Sequence, residues 1–316
     1  MDIKRVISRK SFMLWLLLII LILLATSPFY ASEYTIVLLT SILMYVVITV
    51  SWTMFSGPTG YISLAPAAFF GVGVYTSALL GFELPLPIVI GIGGITGFCL
   101  ALLVGALTLR LRGIYFVMFT FGLVELLLHS VLWWEANITG TIGRVVPSVD
   151  NTIVYYLMLI VFMILMLTVY LIKHSKFGLA LQSIGEEEEA AAHTGINVTA
   201  LKTITFAISA FFIGAAGAIM ATRWTYVDPR IAFNPLLSFI PVLMAIFGGM
   251  GQLYGPIIGA VIFTYLEEFL ITKFPYYYML LFGITMLIVI RFMPYGVEGM
   301  IEKWRRNEKK EFLERT

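Results

Sequence analysis

Long apolar segments recur along this 316-residue sequence and constrain its fold more than any other feature. Eight of them have about the 17–25 residues that cross a bilayer as an α-helix. They are residues 12–30, 35–55, 86–109, 114–134, 152–172, 200–222, 254–271 and 276–292. Two shorter apolar stretches, 65–81 and 236–248, are bordered by glycine and proline and are interpreted as irregular spans. The series predicts an all-α polytopic membrane protein with about ten transmembrane spans, some of them discontinuous helices.

Composition excludes a water-soluble globular fold. Hydrophobic residues make up 60% of the chain and charged residues 12%, whereas soluble domains have about 45–50% apolar and about 25% charged residues. The single cysteine, Cys99, lies in an apolar segment, so a disulfide within the chain is impossible and we expect no metal site. We expect Cys99 to be a small packing residue.

The positive charges test the number of spans, because lysine and arginine accumulate in short cytoplasmic loops. With the N-terminus inside, ten spans leave Arg144, Arg223, Arg230 and Lys273 outside and the remaining 16 of the 20 lysines and arginines inside. Omitting either irregular span would reverse the sides downstream of it. We therefore predict cytoplasmic N- and C-termini, one transmembrane domain over residues 1–316, and a charged cytoplasmic tail over 294–316.

Two glycine-rich segments interrupt the helical pattern. The sequence SGPTGYISLAP occupies residues 56–66 and FGGMGQLYGP occupies 247–256, and both are poor helix formers. Irregular backbone at membrane depth survives only inside protein or beside a water-filled cavity. The candidates for a translocation path are therefore Gly57, Gly60, Ser63, Gly248, Gly249 and Gly251. A tight packing turn is the alternative interpretation of both segments.

Glu125 is interpreted as the one acidic residue squarely inside a predicted span. An ionisable group at that depth costs about 2.5–3.5 kcal/mol on insertion scales, so it should face a cavity or a partner. Either Glu125 belongs to the translocation path or gate, or it forms a structural hydrogen bond between helices. His129, four residues later, is a candidate partner; otherwise it is an interfacial histidine near Trp133 and Trp134.

Small residues recur every four positions in three segments. The three sets are Gly93, Gly97, Ala101 and Gly105; Ala210, Gly214 and Ala218; and Gly251, Gly255 and Gly259. Such faces let helix backbones approach closely in a membrane. We expect tight packing within the chain, with a subunit interface as the alternative.

The longest polar stretch inside the chain is residues 174–202, which the charge distribution places in the cytoplasm. Helix-forming residues dominate from 179 to 193, with Gly178 before them, Gly185 within them, and Gly195 after them in the position of a helix-ending glycine. The pattern predicts one short surface helix flanked by turns. A solvated acidic loop is the alternative.

This stretch resembles the cytoplasmic loop of permeases from ABC importers. The matching residues are Gly178, Glu188, Ala190, Ala191 and Gly195. The resemblance implies that residues 174–202 contain a coupling helix that docks in a groove of the ATPase subunit, with the two alanines allowing close seating. A rigid short helix can transmit closure of the ATPases as a rigid-body movement.

Four further stretches, 57–80, 111–125, 208–221 and 247–260, resemble the LivM-like permeases of branched-chain amino acid importers. This resemblance implies a bacterial or archaeal inner-membrane permease that imports branched-chain amino acids or related small polar solutes by alternating access. The expected partners are two ABC ATPase subunits, a second permease (LivH-like or an identical copy), an external solute-binding protein and membrane lipid, without nucleic acid.

Several features depart from that family or limit the function. Leu179, Gln182 and Gly185 stand where the family commonly has basic residues, and Ala65 and Pro66 stand where it commonly has Gly-His. No G-x-x-x-x-G-K-[ST] sequence occurs, so we expect a transport subunit and not an enzyme, with no cofactor of its own and ATP hydrolysed by the partner. An ion-coupled secondary transporter, a urea or amide importer permease, and a membrane scaffold or sensor remain alternatives.

Overall fold

The computed structural model describes residues 22–111, 113–251 and 254–292. Helices dominate, because a chain in lipid must satisfy its backbone hydrogen bonds internally. The helices are α1 (Glu33–Thr59), α2 (Pro66–Leu80), α3 (Leu86–Thr108), α4 (Ile114–Trp134), α5 (Asn151–Lys173), α6 (Lys176–Glu186), α7 (Glu188–His193), α8 (Val198–Ala221), α9 (Pro229–Ala232), α10 (Leu236–Gly248), α11 (Tyr254–Lys273) and α12 (Tyr278–Phe292). A 3₁₀ turn at Ser27–Phe29 precedes α1, and a π-helical turn at Glu135–Thr139 extends α4.

Helix α8 lies at the centre of the bundle, and 83% of its most apolar 18-residue stretch is buried. It packs most extensively against α3 and then α2. The contact is close because a methyl group on Gly97 would lie 2.8 Å from the carbonyl oxygen of Ala210, and one on Gly73 would overlap the backbone of Gly214. The small-residue faces of α3 and α8 therefore pack within the chain, which confirms the first interpretation of both sets.

Helices α10 and α11 form a second close pair through glycine. A methyl group on Gly259 would overlap the carbonyl of Met244, and one on Gly248 would overlap that of Gly255. The third small-residue set is therefore divided: Gly255 and Gly259 mediate packing, whereas Gly251 lies before α11 and is exposed.

Seven candidate spans occur in the described part of the chain, counting α9 and α10 together. They coincide with six of the eight long predicted segments and with the irregular span at 236–248. The other irregular span, 65–81, forms the 15-residue α2, and the segment 276–292 forms α12. Most of the predicted segment 12–30 and all of the tail 294–316 lie outside the described residues. The total of ten spans and the side of the termini stay predictions.

A small cap closes the end of the bundle that is predicted to lie outside. Strands β1 (Arg144–Val145) and β2 (Tyr226–Val227) pair antiparallel. The carboxylate of Glu135, which is fully buried, lies 3.3 Å from Nε of Arg144 and accepts a hydrogen bond from the Gly143 amide at 2.7 Å. The ion pair holds the loop after α4 together, and the strand pairing joins it to the loop after α8.

Two expectations about single residues are wrong. Cys99 is exposed on α3 and not packed, because it lies on the face turned away from α8. Glu125 is not the one acidic residue within a span, since α11 contains Glu267 and Glu268, the latter accepting a 2.8 Å hydrogen bond from the hydroxyl of Tyr34. Their position in the last two turns of α11 explains why an ionisable pair is tolerated there.

Candidate functional site

Residues 174–202 fold into two helices and not the single one predicted. The hydroxyl of Ser175 caps α6 by accepting from the Gly178 amide at 3.3 Å, and α6 buries Gly178, Leu181 and Ile184. Helix α6 ends before Glu187, whose φ of −155° and ψ of 108° are extended. The composition gave no sign of a break at position 187, because residues 186–189 are all glutamates, which are good helix formers. We attribute it to the tertiary contacts on either side.

The first of these contacts is between Gly185 on α6 and Pro58 near the end of α1. A methyl group on Gly185 would overlap the carbonyl of Pro58, so the two backbones touch. Only glycine permits this approach. The polar segment is therefore packed directly against the first glycine-rich segment, residues 56–66, here called the first break.

The second contact is a buried cluster of Tyr61, Glu188 and Lys202, here called the Lys202 cluster. The Lys202 ammonium donates to Oε1 of Glu188 at 2.8 Å, to the hydroxyl of Tyr61 at 3.0 Å and to the carbonyl of Leu109 at 3.1 Å. Tyr61 in turn donates to Oε2 of Glu188 at 2.7 Å. The side chain of Lys202 is only 1% exposed and that of Glu188 22%. Such a charge is stable inside protein only when paired and fully hydrogen-bonded.

Sequence reasoning assigned Glu188 to the coupling segment but gave Lys202 and Tyr61 no specific role. A usable signal was present, since Lys202 falls inside the predicted span 200–222. The rule applied to Glu125, that an ionisable group within a span must face a partner, would have marked it. The partners could not be read from the sequence, because Glu188 is 14 positions away on another helix and Tyr61 is 141 positions away.

Helix α7 ends in a Schellman motif. The amide of Ile196 donates to the carbonyl of Ala191 at 3.3 Å and that of Gly195 to Ala192 at 3.0 Å, with Gly195 at a φ of 87°. Gly195 is thus confirmed as a helix-ending glycine. Ala190 is exposed, but Ala191 is 3% exposed and packs inside the chain. The expectation that both alanines seat against a partner is wrong for Ala191, because adjacent helical residues point about 100° apart.

The first break is narrower than predicted. Gly57 and Pro58 still belong to α1, which ends at Gly60 with a φ of 71°. Residues 60–65 are not helical, and side chains fix their backbone: Nε1 of Trp52 donates to the carbonyl of Ser63 at 2.7 Å, and the amide of Leu64 donates to Thr120 at 2.9 Å. Ser63 is 2% exposed and its hydroxyl accepts from the Ala65 amide. At Ser63 the structure is a packing turn.

The second glycine-rich segment, residues 247–256, is here called the second break. Its non-helical part begins at Gly249, which follows α10 with a φ of 96°. Its amide donates to the carbonyl of Ala245 at 2.9 Å. Gly248 and Gly249 are buried against Gly255, so at both positions the structure again corresponds to close packing. Gly251 differs from them because it is exposed and borders a cavity.

That cavity, here called the coupling cavity, has a volume of about 410 Å³. It lies between α1, the end of α5, α6 and the loop after α10. Of the glycines singled out in the sequence, Gly57, Gly60, Gly178, Gly185 and Gly251 line it. Parts of both breaks and the polar segment are therefore brought together at one place, whereas Ser63, Gly248 and Gly249 are not among its lining residues.

Glu125 lies midway along α4 and is not among the residues that line this cavity. Its Oε2 is 3.7 Å from Nε2 of His129 on the same helix, and the two side chains are 39% and 74% exposed. Only 22% of the most apolar 18-residue stretch of α4 and its π-helical extension is buried. The contact with His129 follows the suggested pairing but does not join two helices. Over the described ranges, no group of side chains has the composition of a metal site.

Comparison with known proteins places these features in context. A family model described as "Branched-chain amino acid transport system / permease component" matches residues 34–290. The high-affinity branched-chain amino acid transport system permease proteins LivM of Salmonella typhimurium and Escherichia coli are 26% and 27% identical, over 90% of this chain and 74% and 75% of those proteins. The ribose import permease protein RbsC of Haemophilus influenzae is 24% identical over 90% of this chain and 92% of its own length. No solved structure matches this chain.

Proposed function

Because this chain belongs to the family of branched-chain amino acid transport system permease components and is a multi-pass protein of the inner membrane, we propose that it is the translocating subunit of an ATP-driven importer. Its solute is a branched-chain amino acid or a related small polar molecule. The LivM relatives are named for branched-chain amino acids, whereas RbsC is named for ribose. Family membership alone therefore supports the importer class more strongly than it supports one particular solute. A urea or amide solute is the alternative within the same class.

The observation that carries the proposal is the double attachment of α6 and α7 to the first break. Gly185 touches Pro58, and Glu188 joins Tyr61 through the Lys202 cluster. A force applied to the polar segment therefore reaches the end of α1 through packed backbone and a buried ion pair. This is the physical requirement for a coupling segment that converts closure of an ATPase into movement of membrane helices.

The outer surface of α6 and α7 supplies a docking face for the ATPase. Leu179 is 64% exposed, and Ala190 is exposed as well. Glu187 and Glu189 of the same segment are also exposed. Complementary charge steers association and suppresses wrong partners. We propose an ATPase whose groove is basic where it receives this face.

We place the second permease, LivH-like or identical to this chain, against the exposed face of α4. Glu125 and His129 are exposed on that face within the predicted span 114–134, and ionisable groups within a span are expected to face protein or a water-filled cavity. Solute would arrive from an external binding protein and pass between the two permeases, with Glu125 at the path. The family match argues against an ion-coupled secondary transporter, whose uptake would not require an ATPase.

Reconstitution in proteoliposomes with the cognate ATPases, second permease and binding protein tests the proposal. Wild-type complexes should take up radiolabelled solute only when ATP is present on the side of the membrane where the ATPases lie. Ala190→Glu and Gly195→Trp, at the docking face and its helix end, should abolish this uptake while the chain stays in the membrane. Ala136→Glu, an exposed alanine at the opposite end of the bundle, is the matched control and should transport normally. Normal uptake by Ala190→Glu would refute the assignment of the docking face.

A further inference from the structure

We infer that the coupling cavity is a binding site for an aliphatic amino acid, through which solute that has reached this side of the membrane acts back on the coupling segment. The inference deepens the proposed function and rests on it for the direction of transport. It assigns a ligand class and a regulatory effect to a cavity within one chain, separate from the path proposed between two permeases.

The cavity has the size and the wall for such a ligand. Its volume of about 410 Å³ lies in the range of about 300–1,000 Å³ that small-molecule sites occupy. Aliphatic and thioether side chains from three helices and one loop form much of the wall. They are Val50, Met54, Val169, Ile172, Leu181 and Met250. Burying a branched aliphatic side chain against them is favourable by the hydrophobic effect.

The charged residues of the lining match the charges of a zwitterion. Lys173, at the end of α5, provides an ammonium, and Glu186, at the end of α6, provides a carboxylate. Thr53 and Gln182 add hydrogen-bonding groups. A lysine ammonium has three donors, so Lys173 can bind a ligand carboxylate while it keeps a contact within the chain. One cation and one anion favour a ligand with both charges over a ligand with one.

The same lining disfavours a sugar, although ribose and xylose permeases are among the relatives. A sugar carries a hydroxyl group on nearly every carbon, and each hydroxyl placed against an aliphatic wall without a partner costs free energy. The described residues of the lining include no aromatic side chain on which a sugar ring could stack. The chemistry of the cavity therefore selects an aliphatic zwitterion.

The position of the cavity gives binding a consequence for transport. Leu181, Gln182 and Glu186 belong to α6, whereas Val50 and Met54 belong to α1. A ligand between them joins the coupling segment to the membrane helix that it must move. The ligand also touches α5 and the loop after α10, so it stabilises the arrangement in which the cavity is formed and disfavours any arrangement in which α1 and α6 move together away from α5 and that loop. Solute accumulated on this side should therefore slow its own uptake.

Equilibrium binding of radiolabelled L-leucine to the purified full-length chain in lipid nanodiscs tests the site directly. Wild type should bind saturably, with no competition from D-ribose. Lys173→Met and Glu186→Gln should each weaken binding by at least about tenfold, as expected for loss of one member of a charge pair. The matched controls Lys176→Met and Glu187→Gln alter neighbouring residues that are not among the lining residues and should bind like wild type. Absence of saturable binding by wild type, or equal losses in the controls, would overturn the inference.

The regulatory effect is measured in the reconstituted importer as the ratio of ATP-driven uptake with and without L-leucine preloaded on the side of the ATPases. This ratio should fall severalfold in wild type and stay near one in Lys173→Met. ATP-driven uptake that preloading does not affect would refute the inference and leave the proposed function intact. Leucine binding that depends on Lys173 and Glu186 in a complex without ATP-driven uptake would refute the proposed function and leave the site.

Discussion

Replacing Lys202 by methionine removes an ammonium that makes three hydrogen bonds inside the protein while keeping a side chain of similar length. The bonds, at 2.8, 3.0 and 3.1 Å, go to Glu188, Tyr61 and the carbonyl of Leu109. Breaking a buried ion pair by removing one partner costs about 3–5 kcal/mol. Glu188 keeps the Tyr61 hydroxyl and is 22% exposed, so we expect Lys202→Met to cost about 3 kcal/mol, the low end of that range.

Glu188→Gln removes the other partner of the ion pair. It should cost more stability, because it leaves an ammonium that is only 1% exposed without its carboxylate. We expect about 4–5 kcal/mol, the high end of the same range. The double variant leaves neither charge buried, so its loss should be below the sum of the single losses by about 2 kcal/mol, within the range for residues in contact.

Equilibrium unfolding in mixed micelles with increasing sodium dodecyl sulfate measures these three free energies. Lys176→Met, which removes an exposed lysine from the same segment, should change stability by less than about 0.5 kcal/mol. Additive losses in the double variant would show that Lys202 and Glu188 do not stabilise one another, and the attachment of α7 to the membrane helices would then lack its electrostatic part.

Two further predictions concern the first break. Gly185→Ala places a methyl group against the carbonyl of Pro58, so it should cost about 1–3 kcal/mol of stability and reduce ATP-driven uptake. Gly91→Ala, with open space around it, should leave both near wild type. Normal uptake by Gly185→Ala would contradict a role for the contact. Trp52→Phe removes the indole donor to the carbonyl of Ser63. It should lower the free energy of unfolding by about 1–3 kcal/mol in the same unfolding assay. An unchanged stability would mean that another donor replaces the indole.

The sequence was sufficient to predict helices and close packing, because both depend on local or periodic patterns. The long apolar runs at 86–109 and 152–172 each became one helix, and the four-residue spacing of Gly93 and Gly97 indicated a close helix contact. The helix end at Gly195 was likewise correct, since a glycine with positive φ after a helical stretch is a local signal.

Features that depend on distant partners could not be predicted. Glu187 interrupts a helical stretch between Gly185 and Glu188, which contact Pro58 and Tyr61 more than 120 positions away. The coupling cavity needs Gly57 and Gly251 on the same side of the bundle, although almost 200 residues separate them in the sequence. Sequence patterns indicated that these glycines were unusual, but only the fold shows that they share one cavity while Ser63 packs elsewhere.

The close contact between α3 and α8 also affects how the chain is made. Gly97 on α3 approaches the backbone of Ala210, and a ribosome adds about 5–20 residues each second. For on the order of ten seconds, therefore, nascent α2 and α3 would already be in the membrane with an exposed glycine-lined groove that α8 later fills. During that interval another hydrophobic segment, from this chain or a neighbour, could occupy the groove. Insertion factors that shield α2 and α3 until α8 emerges should therefore raise the yield of folded protein.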